Sequence, residues 1–283
     1  MNTPEGRTFA ETRVVCPDGA WLSVYQCHAP ARSLLVVLPV ATHPTLVGRG
    51  LDALAARAHV VCWEGRLVTD PTQDLRAPDQ LSASAQASDV GTLLDALGVA
   101  TADLLGYCSG ASVALRAAAV LGPSRIRRLV LANGAYFLPE GRCTQTQYER
   151  DIQGLVPLVA GGRAAASTIH ARFIARLVGR WTGHEFGTEI LRPYRDAESF
   201  YRFVVALDQL LAGDQEGVAA QVRVPTLLLA GARDDQTHDA SAEVIAARIP
   251  GARLQVGPEW DHYELCRARP DFMDAIADFL EEP

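Results

Sequence analysis

A cysteine stands at the centre of the segment Gly106-Tyr107-Cys108-Ser109-Gly110. The short apolar run Ala102-Asp103-Leu104-Leu105 precedes it and an alanine-rich stretch, 111–119, follows it, which predicts a buried strand, a sharp turn and a helix. Glycines are needed beside such a turn because a Cβ there would collide with the neighbouring strand and helix. A thiol at the start of a helix becomes a strong nucleophile when a histidine lies beside it. We therefore expect Cys108 to be a catalytic nucleophile, against the alternative of a buried structural cysteine.

Two downstream motifs supply the acid and the base that such a nucleophile needs. The apolar run 225–230 ends at Gly231 and leads into Asp234 and Asp235. His262 follows a second strand-like run, 252–256, and precedes the last amphipathic stretch. A histidine can take the proton of the nucleophile, and a carboxylate orients its ring and stabilises the imidazolium. The alternative for the two aspartates is a solvated acidic loop.

The order of nucleophile, acid and histidine resembles that of the α/β-hydrolase superfamily, and the glycine-flanked cysteine resembles its nucleophile elbow. In that superfamily the acid commonly lies three residues past the glycine that ends a late strand. The resemblance therefore selects Asp234, with Asp235 as the alternative. It implies a triad of Cys108, Asp234 and His262, with a thiol where most members carry a hydroxyl.

The resemblance also implies an oxyanion hole with two backbone donors. One is the amide of Ser109, in the first turn of the helix, where free N–H groups and the helix dipole favour negative charge. The other belongs to the loop after the strand-like run 34–38, where relatives usually carry a His-Gly or Asn-Gly pair. This loop is Pro39-Val40-Ala41-Thr42-His43 and lacks that glycine. Val40 is the predicted donor and Ala41 is the alternative.

The elements around these motifs predict an α/β fold. Residues 14–26 predict a hairpin that turns at Pro17-Asp18-Gly19. Further strand-like runs alternate with helical stretches, which predicts a mostly parallel sheet covered by helices on both faces. These runs lie near residues 34–38, 59–63, 103–105, 126–132, 226–230 and 252–256. We expect an α/β-hydrolase core over residues 1–134 and 222–283.

The stretch between the strands near Ala132 and Thr226 is too long for a simple crossover and predicts an inserted helical lid over residues 135–221. An apolar stripe expected in the core recurs there every four residues, and arginines follow the same spacing on a neighbouring face. The arginine face is either solvated or a docking site for an acidic carrier protein or the phosphates of coenzyme A. A second apolar helix, 200–211, is suited to walling an acyl pocket. The stripe is Ile169, Phe173, Leu177 and Trp181, the arginines are Arg172, Arg176 and Arg180, and the expected pocket residues are Ala41, His43, Tyr107, Phe203 and Leu207.

One segment, Gly48-Arg49-Gly50-Leu51-Asp52-Ala53, resembles a dinucleotide-binding fingerprint. Its spacing is wrong for that function. Pro39 and Pro44 separate it from the end of the preceding strand, and Glu64 comes too soon to be a ribose-binding acid. We therefore predict no nicotinamide cofactor, and no other cofactor is indicated.

The composition fits one globular enzyme domain of 283 residues, 48% of them apolar. The net charge of -7 argues against nucleic acid as the main partner. The six cysteines contain no Cys-x-x-Cys pair, so neither a metal site nor a disulfide framework is expected. Residues 1–10 are polar and no stretch approaches the length of a membrane span, so a cytoplasmic protein is expected. The oligomeric state is left open.

Three enzyme groups carry closer resemblances. The segment 106–110 looks like the Gly-x-Cys-x-Gly box of polyhydroxyalkanoate synthases, which use a cysteine on acyl-coenzyme A. Residues 200–280 are similar to the bacterial enzymes that join 3-hydroxyacyl chains from acyl carrier protein into rhamnolipid precursors, although those enzymes use serine. Dienelactone hydrolases also pair this fold with a cysteine, which keeps an ester or lactone substrate open.

The chemistry of sulfur ranks these functions. Attack of a thiolate on a thioester exchanges one thiol for another, so the acyl-enzyme is nearly isoenergetic with its donor and can pass the acyl group to an alcohol, an amine or water. We therefore predict an acyltransferase or thioesterase acting on acyl-carrier-protein or coenzyme A thioesters in specialised metabolism. An ester or lactone hydrolase is the alternative. A non-catalytic ligand-binding relative is disfavoured because all three triad positions are filled.

Overall fold

The computed structural model describes residues 1–3, 6–29, 32–70 and 72–282. Within them one sheet has eight strands: β1 (Ala10–Val15), β2 (Trp21–Cys27), β3 (Ser33–Val37), β4 (His59–Trp63), β5 (Ala102–Tyr107), β6 (Ile126–Ala132), β7 (Thr226–Gly231) and β8 (Arg253–Gly257). Their order across the sheet is β1-β2-β4-β3-β5-β6-β7-β8. The strand β2 pairs antiparallel with β1 and with β4, and all the other pairs are parallel. The predicted hairpin and the mostly parallel sheet are confirmed.

Helices cover both faces of this sheet. They are α1 (Gly48–Ala55), α2 (Ala83–Ala96), α3 (Ser109–Leu121), α4 (Gln147–Ala160), α5 (Arg163–Trp181), α6 (Gly187–Ile190), α7 (Ala197–Leu211), α8 (Gln215–Ala219), α9 (Asp239–Ala246), α10 (Glu264–Arg267) and α11 (Pro270–Glu281), with short 3-10 turns at Pro44–Val47, Pro78–Leu81 and Arg192–Tyr194. Alternate side chains of β3 enter different cores, because successive residues of a strand point to opposite faces. Leu35 and Val37 join the core under α2 and α3, whereas Leu34 and Val36 join the core under α1 and α11.

The parallel strands bring the predicted site residues to one edge of the sheet. Cys108 follows β5, Asp234 comes after β7, and His262 comes after β8. These strands lie within the parallel order β5-β6-β7-β8, so the three loops leave the carboxyl ends of strands at the same edge of the sheet. Ligands of open α/β sheets bind at this edge. The topology therefore gathers residues that are more than 150 positions apart in the chain.

Five helices, α4 to α8, occupy the described chain between β6 and β7. The prediction that the apolar stripe of α5 lies in the core is wrong for Phe173, which is 45% exposed. Ile169, Leu177 and Trp181 are only half-buried. The role of this segment as a lid stays a prediction. Among the described helices, none combines the length and the apolar character that a bilayer crossing requires.

Candidate active site

The turn between β5 and α3 holds Cys108 in a strained backbone conformation. Its φ is 53° and its ψ is -126°, in a region that side-chain-bearing residues rarely adopt. A Cβ on Gly106 would lie 2.6 Å from the Ala111 Cα, and a Cβ on Gly110 would overlap the Val37 carbonyl oxygen. The two glycines therefore permit the close packing that holds the turn. The half-buried thiol is left facing the carboxyl end of the sheet.

His262 and Asp234 form a buried pair beside this turn. The distance from His262 Nδ1 to Asp234 Oδ2 is 2.8 Å. The loops that carry them pack directly together, because a Cβ on Gly231 would overlap the Trp260 carbonyl oxygen. Asp235, the alternative acid, is exposed. The structure thus brings Asp234, and not its neighbour, to the histidine.

Four further donors hold the Asp234 carboxylate. Oδ1 accepts hydrogen bonds from the amides of Gln236 (2.8 Å) and Thr237 (2.9 Å). Oδ2 accepts from Asn133 Nδ2 (2.9 Å) and Thr237 Oγ1 (2.8 Å), in addition to the histidine. Burial alone would raise the pKa of Asp234, but the His262 charge and these hydrogen bonds lower it. The acid is therefore held ionised in one orientation.

Sequence reasoning missed Asn133 and Thr237. Asn133 directly follows β6 and has a φ of 45°, and its Nδ2 also donates to the Asp261 carbonyl oxygen at 3.1 Å. An asparagine before a glycine at the end of a predicted parallel strand is a usable signal, since asparagine tolerates positive φ better than most residues. Thr237 gives a weaker signal, because a threonine three residues past an acid is common in loops. Both side chains contact the acid rather than the reacting atoms.

The electrostatic setting of His262 favours its charged form. Burial alone would lower the pKa of the imidazole, but the charge of Asp234, the charge of a Cys108 thiolate and hydrogen bonds to both side chains raise it well above its ordinary value. The Tyr107 hydroxyl donates to the His262 carbonyl oxygen at 2.7 Å and so anchors the loop that carries the ring. This arrangement can accept a proton from the thiol and hold it as an imidazolium.

Cys108 and His262 open into a cavity of about 90 Å³. Of the predicted pocket residues, Tyr107, Phe203 and Leu207 line it. Ala41 and His43 are not among its described lining residues; Thr42 and Leu46 take that side, and the His43 ring packs against Tyr25 instead. The other described lining residues are Pro39, Val40, Ser109, Ala135, Phe137, Tyr148, Ile152, Glu189, Ile190, Pro193, Tyr194, Gln236 and Tyr263. The cavity is mostly apolar, and Glu189 is the one acidic residue in this described lining.

Of the two predicted oxyanion donors, the amides of Ser109 and Val40, only the second already has a hydrogen-bond acceptor within the described part of the chain. The Ser109 amide lies in the first turn of α3, where backbone N–H groups have no intrahelical acceptor. The Val40 amide, in contrast, donates to the Ser109 hydroxyl oxygen at 2.9 Å. The next residue, Ala41, has a φ of 62°. The loop therefore reaches a glycine-like conformation without the expected glycine, and the amide of Val40 already has an acceptor.

A larger groove of about 620 Å³ adjoins this cavity between α4 and α5. Five lining residues are shared by the two spaces: Tyr148, Ile152, Ile190, Tyr194 and Gln236. Arg176 and Arg180 line the groove together with Phe173, Leu177 and Trp181. Three of the four stripe residues thus form one wall of an open groove next to the catalytic cavity, while Ile169 and Leu177 also pack against the edge of the core.

Comparison with known proteins agrees with this architecture. Residues 69–153 match the family model described as alpha/beta hydrolase fold. The chain is 31% identical over 161 residues to the L-allo-isoleucyltransferase of Pseudomonas savastanoi pv. glycinea, a match that covers 57% of this chain and 56% of that protein. It is 25% identical over 236 residues to a protein of Caulobacter sp. (strain K31) provisionally named carbamate hydrolase RutD, with 81% and 83% of the two chains covered.

A solved structure of a hydrolase from Pseudomonas aeruginosa PA01 superimposes with a TM-score of 0.73 at 24% identity, covering 96% of this chain and 98% of the other. A likeness at that identity establishes the fold alone. The predicted fold class, an α/β-hydrolase fold, is therefore confirmed. The named relatives are enzymes, a transferase and a hydrolase, in agreement with the prediction of an enzyme.

Proposed function

We propose that this member of the α/β-hydrolase superfamily is an acyl-transfer enzyme that forms an acyl-Cys108 intermediate from a thioester donor. The observation that carries this proposal is the strained thiol of the elbow beside the buried His262–Asp234 pair, at the floor of an apolar cavity. A cysteine activated by a histidine that a third group orients is the arrangement required for nucleophilic catalysis.

The reaction begins with proton transfer from the Cys108 thiol to His262. The thiolate attacks the carbonyl carbon of the donor, a new C–S bond forms, and the π electrons move to the carbonyl oxygen. Collapse of this tetrahedral intermediate breaks the bond to the donor thiol, which leaves with the proton of His262. An acceptor then attacks the acyl-cysteine while His262 takes its proton; the C–S bond to Cys108 breaks, the acylated acceptor leaves, and His262 returns the proton to the Cys108 thiolate. Asp234 stabilises the imidazolium in both halves of the cycle.

The acyl group that fits this cavity best is short and carries an amine. The catalytic cavity of about 90 Å³ has room for a short acyl group, and the adjoining groove of about 620 Å³ is left for the arm of the donor. Glu189 supplies the one negative charge among the described lining residues, in addition to the triad acid behind His262. Its Oε2 accepts from Arg192 Nε at 3.2 Å, so one carboxylate oxygen is free of that pair. The name of the Pseudomonas savastanoi relative, an aminoacyl transferase, points to the same substituent.

The adjoining groove suits the phosphopantetheine arm of an acidic carrier protein. Within the described residues no salt bridge engages Arg172, Arg176 or Arg180, although Arg180 stacks over the Trp181 ring at 5.5 Å. Unpaired arginines beside an apolar channel attract acidic surfaces and phosphates. Coenzyme A carries the same arm and is the alternative donor. A hydrolase is the second candidate function, favoured by the match to the Caulobacter protein along most of both chains.

Intact-protein mass spectrometry tests the proposal. We expect aminoacyl thioesters to add one acyl mass to the wild-type protein, and the acyl-enzyme to react with a thiol or amine acceptor faster than with water. Fast turnover of p-nitrophenyl esters without a detectable thioester-derived acyl-enzyme would favour the hydrolase. Binding without turnover of either substrate would identify a non-catalytic protein.

A matched pair of variants tests the amine. Glu189→Gln should lower kcat/KM for an aminoacyl thioester by about tenfold, the order expected for one partly solvated charge pair, and leave its desamino analogue unchanged. Glu185→Gln is the control, because Glu185 pairs with Arg267 and lies outside the described lining of the catalytic cavity. Equal effects of Glu189→Gln on both substrates would refute the amine assignment.

A further inference from the structure

The side chain of Ser109 lies between the nucleophile and the loop after β3. The residue is 5% exposed and lines the catalytic cavity. Its hydroxyl oxygen accepts the Val40 N–H at 2.9 Å, a contact that joins two elements 69 residues apart in the chain. The hydroxyl is thus held at the position where the sequence placed a backbone donor of the oxyanion hole.

This hydrogen bond leaves the proton of the hydroxyl uncommitted. A serine hydroxyl has one O–H donor, and Val40 uses only an acceptor lone pair. Among the described residues, the hydrogen bond from Val40 is the one found at Ser109 Oγ. The hydroxyl proton therefore has no acceptor within that part of the chain. Buried donors are nearly always paired in folded proteins. The missing acceptor is therefore expected to come from a molecule that enters the cavity.

We propose that the Ser109 hydroxyl is an oxyanion donor, acting together with the Ser109 amide and polarised by the Val40 N–H behind it. This role rests on the proposed acyl-transfer function. When the Cys108 thiolate adds to the thioester carbon, the carbonyl oxygen gains the π electron pair, and the hydroxyl donates to it without transferring its proton. Donation from Val40 to the same oxygen strengthens the O–H as a donor, because hydrogen bonds in a chain polarise one another.

The local backbone leaves room for a side chain in this role, because the amide of Val40, the first choice as donor, is already engaged. The resemblance predicted a glycine in the loop after β3, whereas this chain has Ala41 in the left-handed region, with a φ of 62°. The Val40 amide is directed at Ser109 Oγ and does not stand free beside the thiol. The Val40 amide donates to the hydroxyl oxygen, and the hydroxyl in turn donates its own proton to the substrate oxygen. Both the hydroxyl and the amide of Ser109 then derive from the residue next to the nucleophile, so the elbow positions them together.

A competing role for Ser109 is that of a plug. In that case the hydroxyl would only satisfy the Val40 amide in the free protein and rotate away when substrate arrives. The two roles predict opposite effects of removing the hydroxyl. If the hydroxyl only occupies the Val40 amide, its removal frees that amide and leaves acylation unchanged or faster. If the hydroxyl is an oxyanion donor, its removal slows acylation.

The test is single-turnover acylation of Cys108 from a thioester, followed by intact mass. Loss of one preorganised oxyanion donor costs about 10²- to 10³-fold in kcat. Because the freed Val40 amide can partly substitute, we expect Ser109→Ala to slow acylation by about 10- to 100-fold with KM unchanged, and Ser109→Thr to restore at least half of the loss on a logarithmic scale. Ser112→Ala is the matched control, since Ser112 lies on the same helix and its hydroxyl donates to the Ala135 carbonyl oxygen at 2.7 Å.

Each result decides the matter. Acylation by Ser109→Ala at or above the wild-type rate, or an effect confined to KM or to the melting temperature, would overturn the donor role. A loss of the same size in Ser112→Ala would show that the effect is structural and would also overturn it. If the wild-type protein itself fails to load Cys108, the proposed function falls, and this role falls with it.

Discussion

The strand-end site and the inserted helices differ in how firmly their side chains are held. At the site, Asp234 accepts five hydrogen bonds from Asn133, Gln236, Thr237 and His262. In α5, by contrast, Ala166 is the one described residue that is fully buried. The acid of the first region is thus held by hydrogen bonds within the chain itself. The second presents an apolar wall and three arginines to solvent, as expected for a surface that a donor molecule completes.

Backbone strain is concentrated near the site. Four of the six described non-glycine residues with positive φ lie at the site or in the loops that border it, namely Cys108, Asn133, Ala41 and Phe137, and the other two are Leu67 and Ala268. Such conformations cost about 1–3 kcal/mol each and persist where the surroundings over-determine them. The comparison predicts that changes at the site alter chemistry and leave binding intact, whereas changes on α5 alter binding and leave chemistry intact.

The largest expected effect is at the nucleophile. Cys108→Ala should reduce acyl transfer by about 10³-fold or more, as for loss of a triad nucleophile, and leave the melting temperature nearly unchanged because the half-buried thiol leaves little empty space. Cys108→Ser should retain some ester hydrolysis but lose transfer from thioesters. Kinetics with both donor classes checks this. Equal thioester transfer by the serine variant would refute the role given to sulfur.

The site was predictable from the sequence because few folds satisfy its constraints. Gly106 and Gly110 admit no Cβ, and the apolar runs that became β5 and β7 are buried on both faces. Parallel strands must then bring their following loops to one edge. These constraints place the candidates at one edge, the resemblance to the α/β-hydrolase superfamily selects Asp234 over Asp235, and the structure brings Asp234 to His262 beside Cys108.

The surroundings were less predictable because sequence periodicity shows which residues share a face but not what covers it. The α5 stripe has the spacing of a core face, yet Phe173 is 45% exposed because no described element packs over it. The hydrogen bond from Val40 to Ser109 depends on the mutual orientation of two loops. Asn133 reaches Asp234 across 101 residues of chain, a contact that no local pattern encodes.

The second prediction concerns the acid. Asp234→Asn and His262→Ala should each slow acyl-enzyme formation at neutral pH by about a hundredfold or more, the scale of general base catalysis, while Asp235→Asn should cost under about tenfold because Asp235 is exposed. Single-turnover rates for the three variants give the order. A larger loss in Asp235→Asn would mean that the acid is wrongly assigned.

The pH dependence sharpens this assignment. The negative charge of Asp234 is a main reason why the pKa of His262 is raised, so Asp234→Asn lowers that pKa and weakens the imidazolium that holds the thiol proton. Solvent can remove the proton instead once the pH approaches the ordinary thiol pKa, about 8.5. The variant should therefore recover part of its rate as pH rises, whereas a profile parallel to wild type would contradict the pairing.

The smallest expected effect is on the arginines of α5. Arg176→Gln and Arg180→Gln should each raise KM for a carrier-borne thioester by about three- to tenfold, because each removes a positive charge that attracts the carrier, while kcat and the rate with a small synthetic thioester stay unchanged. Arg223→Gln is the matched control. Arg223 is exposed, precedes β7 at the opposite edge of the sheet and donates only to backbone oxygens of its own loop among the described residues.

Salt tests whether this attraction is electrostatic. The attraction acts through solvent, so screening must remove it, and the KM values of wild type and variants should converge as ionic strength approaches about 1 M, where the Debye length is about 3 Å. An equal rise in KM in Arg223→Gln would mean that the arginines of α5 act only through the total charge of the protein. A loss in kcat that salt does not remove would mean that α5 helps to shape the catalytic cavity, and the division between a chemical region and a docking region would no longer hold.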